Sequence, residues 1–561
     1  MAGKIYDVVV IGAGWFGLSA AKTYIQTHPG ARALILESAS SFGGTWSNDR
    51  LYPGLKSNNF AGSYEHPDFP MDEKTYGLEP GKDHIPAATL HRYLTDFAKH
   101  FGIAERTRLN TSVKTITPTS DNGWQLHIAS NDGPNETIST SKLILATGLT
   151  STPNLPQYPG QERFKPTFIH AKDFAKNGDL VHTSKKTVIV GSGKSAYDCA
   201  YAFAEQGAQV DLIVRPGGQG PTWLLPKAVT PFRRLAEELL HTRALAWFSP
   251  APWGDEDGYG AARKFLHNTV FGRMLVDTFW NNMTNEIVES FAFDNHPETF
   301  KLKPWYNVVW SASGIGVDNF DSSVYDMVRQ GKIRVHLADI TELGENTVHL
   351  STGKAIETDA VICATGWKKE STLKFEGLDA SALGVPESCE KIESLREEAN
   401  KKIWDEFPML RNQPVLRFEQ PKENPLRNYR FIVPAGSVFK RNLALAGMVS
   451  TVSTANFANA QALWINAYFD GKLKRNPKNQ DAVNKEVMLH TQFGKWRWPC
   501  GYGASLPDFA FDSLPYIDLL LNDVGIKSHR KGSQMAELVE PYKPKDYRGL
   551  AEEYLELHGQ N

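Results

Sequence analysis

The sequence predicts an α/β protein with two separate β-α-β units, each in a parallel sheet, and a mostly helical insertion between them. Two observations predict this. A short apolar run ending in a glycine cluster occurs twice, at Val8–Ile11 before Gly12 and at Val188–Val190 before Gly191. Each is followed by a helical pattern and then by a second apolar run, Leu34–Leu36 and Val210–Val214. Continuous apolar runs bounded by glycine read as strands buried on both faces, and strands alternating with helices read as parallel sheets. At 561 residues the chain exceeds the roughly 250–300 residues one hydrophobic core supports, so at least two domains are expected.

Composition excludes several classes. A net charge of -2 argues against a nucleic-acid surface. Cysteines stand at 199, 363, 389 and 500. None forms a C-x-x-C pair, so a redox dithiol and a zinc knuckle both lack their spacing, and a reducing compartment is expected. No apolar run approaches the ~20 residues of a membrane span, and the first one ends in a glycine turn instead of a signal-peptide cleavage site. A cytoplasmic protein without a transmembrane segment is therefore expected. Peripheral membrane contact and homo-oligomer formation stay open.

The first cluster, Gly12-Ala13-Gly14-Trp15-Phe16-Gly17, follows a strand and opens a helix. The first glycine permits a tight turn, the second admits a pyrophosphate, and the third lets helix and strand pack closely. The helix N-terminus presents amides to phosphate. Glu37 ends the next strand, where a carboxylate can bond a ribose 2′-hydroxyl and repels a 2′-phosphate. This site suits FAD or NAD.

The second cluster, Gly191-Ser192-Gly193-Lys194-Ser195-Ala196, repeats the arrangement, but its second strand ends in Arg215. A guanidinium there can pair with a 2′-phosphate. Lys194 either adds charge nearby or is simply solvated. An acid in one unit and an arginine in the other point to two Rossmann-like dinucleotide-binding domains, with FAD in the first and NADPH in the second.

Two later strands end alike. Leu143–Leu145 runs into Ala146-Thr147-Gly148, and Val361–Cys363 runs into Ala364-Thr365-Gly366-Trp367. Both read as exits from one domain toward the other. A strand at Leu443–Ala446 precedes a helical stretch from Asn456 to Phe469. Between Pro221 and Trp310 the chain is rich in aromatics, among them Trp223, Phe232, Trp253, Phe265, Phe271 and Trp280. Apolar residues recur at three and four from Phe265 to Val288, which predicts one amphipathic helix. We read this insertion as a cap on a sheet edge, with a substrate-cavity wall as the sharper alternative. The expected organisation is a FAD-binding domain in two parts (1–155 and 368–526), an NADPH-binding domain in two parts (156–220 and 326–367), the insertion (221–325), and a polar, loosely docked tail (527–561).

With these motifs in order, the chain resembles the flavin-containing monooxygenases, a branch of the class B flavoprotein monooxygenases, over roughly residues 5 to 470. Gly43-Gly44-Thr45-Trp46 resembles the family's G-G-T-W element. Asn58 precedes Asp68-Phe69-Pro70 at the spacing of the family's catalytic asparagine; taken alone, it reads as a turn residue. Phe164, His170 and Phe174 fit the family fingerprint, with Pro166 in place of its glycine and Ala175 where a basic residue often follows. Ala364–Trp367 resembles A-T-G-[Y/W]. Gln461, Ala462 and Trp464 match part of E-x-Q-A-R-W, with Asn459 and Leu463 replacing its glutamate and arginine. The set looks like oxygenases of secondary metabolism.

The resemblance implies that NADPH reduces FAD and that one oxygen atom of O2 reaches a small organic substrate through a C4a-(hydro)peroxyflavin. The residues expected around the cofactors are Gly12, Gly14, Trp15, Phe16, Gly17, Glu37, Gly44, Thr45, Trp46, Ser57, Asn58, Val113, Thr147 and Gly148, then Gly191, Ser192, Gly193, Lys194, Ser195, Arg215, Thr365, Gly366 and Gln461. Asn58 is the expected catalytic residue and no metal is expected. Asparagine at this position implies N- or S-oxygenation; a Baeyer–Villiger reaction on a ketone is the closest alternative. A pyridine nucleotide–disulfide reductase shares the plan but needs a redox cysteine pair, and residues 18 to 198 hold no cysteine. A non-catalytic NADP-sensing flavoprotein is the alternative from another class.

Overall fold

A computed structural model describes residues 5–131, 133–229, 234–369, 373–378, 390–420 and 426–559; Phe232 and Cys389 lie outside the described residues. Strand β1 (Ile5–Ile11), helix α1 (Trp15–Thr27) and strand β2 (Ala33–Leu36) form the first unit, with β1 and β2 parallel. Val8, Val9 and Val10 are all fully buried. Side chains alternate across a strand, so Val8 and Val10 enter one core while Val9 and Ile11 enter another on the opposite face. Among the described residues the first sheet has eight strands. On its other edge β1 pairs in parallel with Glu136–Leu145, which continues an antiparallel meander through Trp124–Ser130 and Thr111–Pro118. The late strand Leu443–Leu445 also pairs with Leu143–Leu145, which returns the C-terminal third of the chain to this sheet.

Among the described residues the second sheet is five parallel strands in the order Thr167–His170, Ala360–Cys363, β3 (Lys186–Val190), β4 (Gln209–Val214) and Ile333–Leu337. Helix α2 (Lys194–Glu205) joins β3 to β4. Both glycine clusters thus lie where a parallel strand feeds a helix.

The insertion departs from the single expected helix. Thr269 takes extended backbone (φ -93°, ψ 153°) and its hydroxyl accepts from the Gly272 amide at 2.9 Å. This cap ends the helix Gly260–Asn268 and starts another, Val270–Ser290. Trp223, Trp253 and Trp280 are core residues, whereas Phe265 and Phe271 are exposed.

The expectation of a loosely docked tail is corrected. Tyr547, Leu550 and Tyr554 are at most 1% exposed, and the Gly549 amide donates to Asp68 at 2.9 Å. Buried Arg243 of the insertion pairs with Asp518 and, at 3.0 Å, with Glu537. Apolar residues at 547, 550 and 554 carry the tail's helical packing despite its polar composition. No helix among the described residues is long and apolar enough to cross a membrane.

Candidate active site

Three adjoining cavities occupy the junction of the two sheets and the insertion. The first, about 820 Å³, is lined by Gly12, Gly14, Trp15, Phe16, Glu37, Gly44, Thr45, Trp46, Val113, Thr147 and Gly148. Gly12 has φ +108°, and a Cβ there would meet the Ala146 carbonyl oxygen at 2.3 Å. Gly17 does not line the cavity. A Cβ on Gly17 would stand 1.9 Å from the Gly12 carbonyl oxygen, so its absence lets α1 lie close against the turn that follows β1. The α1 N-terminus has no side-chain cap and no acid in its first turn, so its first amides are left for a ligand. Glu37 accepts from the amides of Ala13 (2.7 Å) and Ala39 (2.8 Å), which orients its carboxylate at the cavity edge. An uncapped helix start, a bare glycine turn and an oriented carboxylate fit an adenine dinucleotide such as FAD.

The second cavity, about 810 Å³, is lined by Gly191, Ser192, Gly193, Lys194, Ser195, Arg215, Thr365 and Gly366. Gly191 (φ +131°) lies against the Ala364 carbonyl as Gly12 does against that of Ala146. Arg215 is exposed and makes no ion pair with a described residue. Lys194 pairs with Asp198 and lies 4.3 Å from the Phe320 ring centre, so its charge is engaged away from Arg215. A bare glycine turn with an open guanidinium fits a dinucleotide carrying an extra phosphate.

The third cavity, about 380 Å³, lies between them. Trp46 and Tyr64 wall it from the first domain, joined by an indole N–H donating to the phenol oxygen at 3.1 Å. Leu225, Leu240, Ile315 and Val317 wall it from the insertion. The insertion therefore forms cavity wall as well as core: Trp253 and Trp280 are core, and Leu225, Leu240, Ile315 and Val317 face the cavity. Asn58 borders both this cavity and the second one. Its side chain is exposed there and makes no hydrogen bond with a described residue.

Two expected contacts take a different form. Gln461 is fully buried and reaches no cavity; its amide oxygen accepts from the Gly447 amide at 2.9 Å, and its NH2 donates to Tyr516 at 3.0 Å. It braces Gly447, which does line the first cavity. The Ser57 hydroxyl is spent on the backbone, donating to the Asn59 carbonyl (2.5 Å) and accepting from the Ile85 amide (3.0 Å). His170 accepts from the Lys172 amide at Nδ1 (3.1 Å), so Nε2–H donates to the Gly366 carbonyl (3.0 Å). Burial holds its pKa below the usual imidazole value, which suits a neutral link between domain exits.

Sequence reasoning missed Lys369, which lines both large cavities beside Tyr502. Its ammonium lies 4.0 Å from the Tyr502 ring centre, and burial pushes its pKa down to about 8 against the pull of Asp508. It also missed Tyr64, Glu237 and His241. No local motif marks any of these four. Among the described residues no His, Cys, Asp and Glu cluster could hold a metal.

Two glycine-turn clefts opening on one shared cavity define a flavoprotein with two dinucleotide folds. The family described as pyridine nucleotide-disulphide oxidoreductase matches residues 6–229. The chain is 33% identical to the FAD-dependent monooxygenase rstn6 of Aspergillus nomiae over 582 aligned residues, covering 99% of each. It is 34% identical over 561 aligned residues to a FAD-dependent monooxygenase of Pyrenophora dematioidea, covering 95% of this chain and 100% of the relative. In fold it is similar to the open crystal structure of cyclohexanone monooxygenase (TM-score 0.62, 18% identity, 92% of this chain and 97% of that one). It is also similar to S-allyl-L-cysteine S-oxygenase from Allium sativum (TM-score 0.55, 15% identity, 100% and 95%). The chain belongs to the FAD-dependent monooxygenases. It is a flavin-dependent enzyme that uses FAD, O2 and a small-molecule substrate.

Proposed function

We propose that the enzyme takes its electrons from NADPH in the second cavity and transfers one oxygen atom of O2 to a nitrogen or sulfur centre of a substrate in the 380 Å³ cavity. The observation that carries this reading is the place of Asn58, exposed on the wall shared by the reaction cavity and the second cavity. A neutral amide there can donate and accept hydrogen bonds without adding negative charge beside the reacting centre. FAD, when bound, supplies the redox chemistry with O2.

The chain's own residues hold, orient and shield. Gly12, Gly14 and the α1 N-terminus cradle the pyrophosphate, and Glu37 takes the ribose. The open guanidinium of Arg215 supports NADPH over NADH. Leu225, Leu240, Ile315 and Val317 keep water from the reacting atoms. Residues 1–155 and 368–526 make the FAD part, a reading supported by the strand Leu443–Leu445 joining the first sheet; 156–220 and 326–367 make the NADPH part.

The test is O2-dependent NADPH oxidation by the FAD-loaded enzyme, screened over amines, thioethers, ketones and indoles, with H2O2 measured in parallel. Oxygenated amine or thioether supports the reading. Ester from a ketone as the sole product would replace it with ketone insertion.

A further inference from the structure

We propose that Glu237 of the insertion is the positioning residue that holds Asn58 at the reaction cavity, an inference that rests on the catalytic reading of Asn58. Glu237 is only 8% exposed, has no ion-pair partner among the described residues, and lies on the cavity wall. Burying an unpaired carboxylate is costly unless its oxygens are fully hydrogen-bonded. Here every contact goes to one short loop. One oxygen accepts from the side-chain amide of Asn59 and from the Ser63 hydroxyl (2.6 Å), and the other accepts from the Phe60 backbone amide (2.8 Å).

The other flank of Asn58 is held from the same insertion. Asn319 donates to the Ser57 carbonyl at 3.0 Å, and Asp321 pairs with Lys56 at 2.8 Å. Asn58 is thus the exposed residue, its side chain making no hydrogen bond with a described residue, between two gripped flanks in the strand Lys56–Phe60, whose Ser57 and Phe60 are buried.

The clamp is anchored at its far end. His241 donates from Nδ1 to the Glu237 backbone carbonyl (2.7 Å), which leaves Nε2 to accept from Ser453 (2.5 Å) at the start of the helix Thr454–Phe469. The Asn59 amide also donates to the Val452 carbonyl at 3.2 Å. A ring of contacts therefore runs from the late FAD-side helix through His241 and Glu237 to the loop of Asn58 and back to Val452. Its effect is to fix the Asn58 backbone relative to the first cavity while leaving the side chain free for the reacting atoms. Preorganisation of this kind needs a support on rigid elements, and the insertion supplies it.

Glu237→Gln keeps the shape but presents an NH2 group to a donor, so one contact to the loop is lost. Two measurements on the FAD-loaded enzyme test the proposal. The first is hydrogen exchange of the backbone amides at residues 59 to 63. The second is the rate of H2O2 release with NADPH and O2 alone, for wild type, Glu237→Gln, Asn58→Ala and the double variant. The expected result is exchange at Phe60 faster by about tenfold or more, and H2O2 release faster by about the same factor. The double variant should be no faster than Asn58→Ala, because Glu237 acts through Asn58. Unchanged exchange at Phe60, unchanged H2O2 release in Glu237→Gln, or multiplied effects in the double variant would overturn the clamp. Asn58→Ala releasing H2O2 at the wild-type rate would instead sink the catalytic reading of Asn58, whatever the exchange shows. Should Glu237→Gln fail to fold, Ser63→Ala removes a single donor, and the same two shifts are expected at smaller size; no shift in either overturns the proposal.

Discussion

The backbone amide of Ala13 donates to the carboxylate of Glu37 across 2.7 Å, which ties the turn of the first glycine cluster to the end of the neighbouring strand. The same carboxylate takes the Ala39 amide on its other oxygen. Glu37 therefore holds the cradle and faces the cavity at once. Losing hydrogen bonds to a charged group costs about 1.5–3 kcal/mol. Glu37→Ala should weaken FAD binding by roughly ten- to a hundredfold, read as the flavin-to-protein ratio after purification. FAD, not FMN, should be released on denaturation of the wild type, and FMN in its place would refute the assignment of the first cavity.

Arg215 should set the coenzyme preference. Arg215→Ala should raise the KM for NADPH at least about tenfold, with little change for NADH, because a charge-assisted phosphate contact is worth about 1.5–3 kcal/mol. Lys194→Ala should disturb this ratio less, since Lys194 is already paired with Asp198. Steady-state kinetics with both coenzymes decide it; an unchanged ratio in Arg215→Ala moves the phosphate contact elsewhere.

Asn58 should matter for oxygen transfer more than for FAD binding. A preorganised hydrogen-bonding group at a site of developing charge is worth about 3–4 kcal/mol in the transition state. Asn58→Ala should keep FAD and still oxidise NADPH, yielding H2O2 in place of product. Asn58→Asp keeps the shape and adds charge, which tests whether charge at this position selects the reaction class. The product-to-NADPH ratio is the measurement, and full coupling in the alanine variant would reduce Asn58 to a turn residue.

Asp512 should make stability pH-dependent. Burial pushes its pKa from 3.8 to about 7, with Arg497 pulling the other way. The folded state then binds its proton more tightly than the unfolded chain, so its contribution is present at low pH and lost as pH rises from about 4 to about 7. Asp512→Asn should be close to wild type at about pH 4 and more stable than wild type by about 4 kcal/mol at about pH 8. Urea unfolding at both pH values checks this; a gap that fails to widen with pH rules it out.

Arg243 ties the insertion to the helix Ser513–Val524 and to the tail. Removing one member of a buried ion pair leaves an uncompensated charge and costs about 3–5 kcal/mol. Arg243→Ala should lose that much in urea unfolding and expose the tail to proteolysis near Glu537. A loss below about 1 kcal/mol would mean that the tail is held by its tyrosines alone.

Several elements were legible because their signals are local. Each glycine turn, the strand before it and the charged residue ending the next strand lie within one β-α-β unit, and the physics of that unit is contained in about thirty residues. Thr269 was legible only in hindsight, since a threonine inside an apolar period looks like helix until its hydroxyl is seen capping Gly272. Gln461 matched a motif, but the sequence could not show that its amide would turn inward to Gly447 and Tyr516.

By itself, then, the sequence determined the two dinucleotide folds, the acid in one and the arginine in the other, and the family. Those follow from backbone geometry and charge at short range. Only the tertiary structure decided what surrounds the reaction cavity. Glu237 reaches Phe60 across 177 positions of chain, and Gly549 reaches Asp68 across 481. Such contacts carry no period or spacing, because they are selected by the packing of whole elements and not by the order of residues along any one of them.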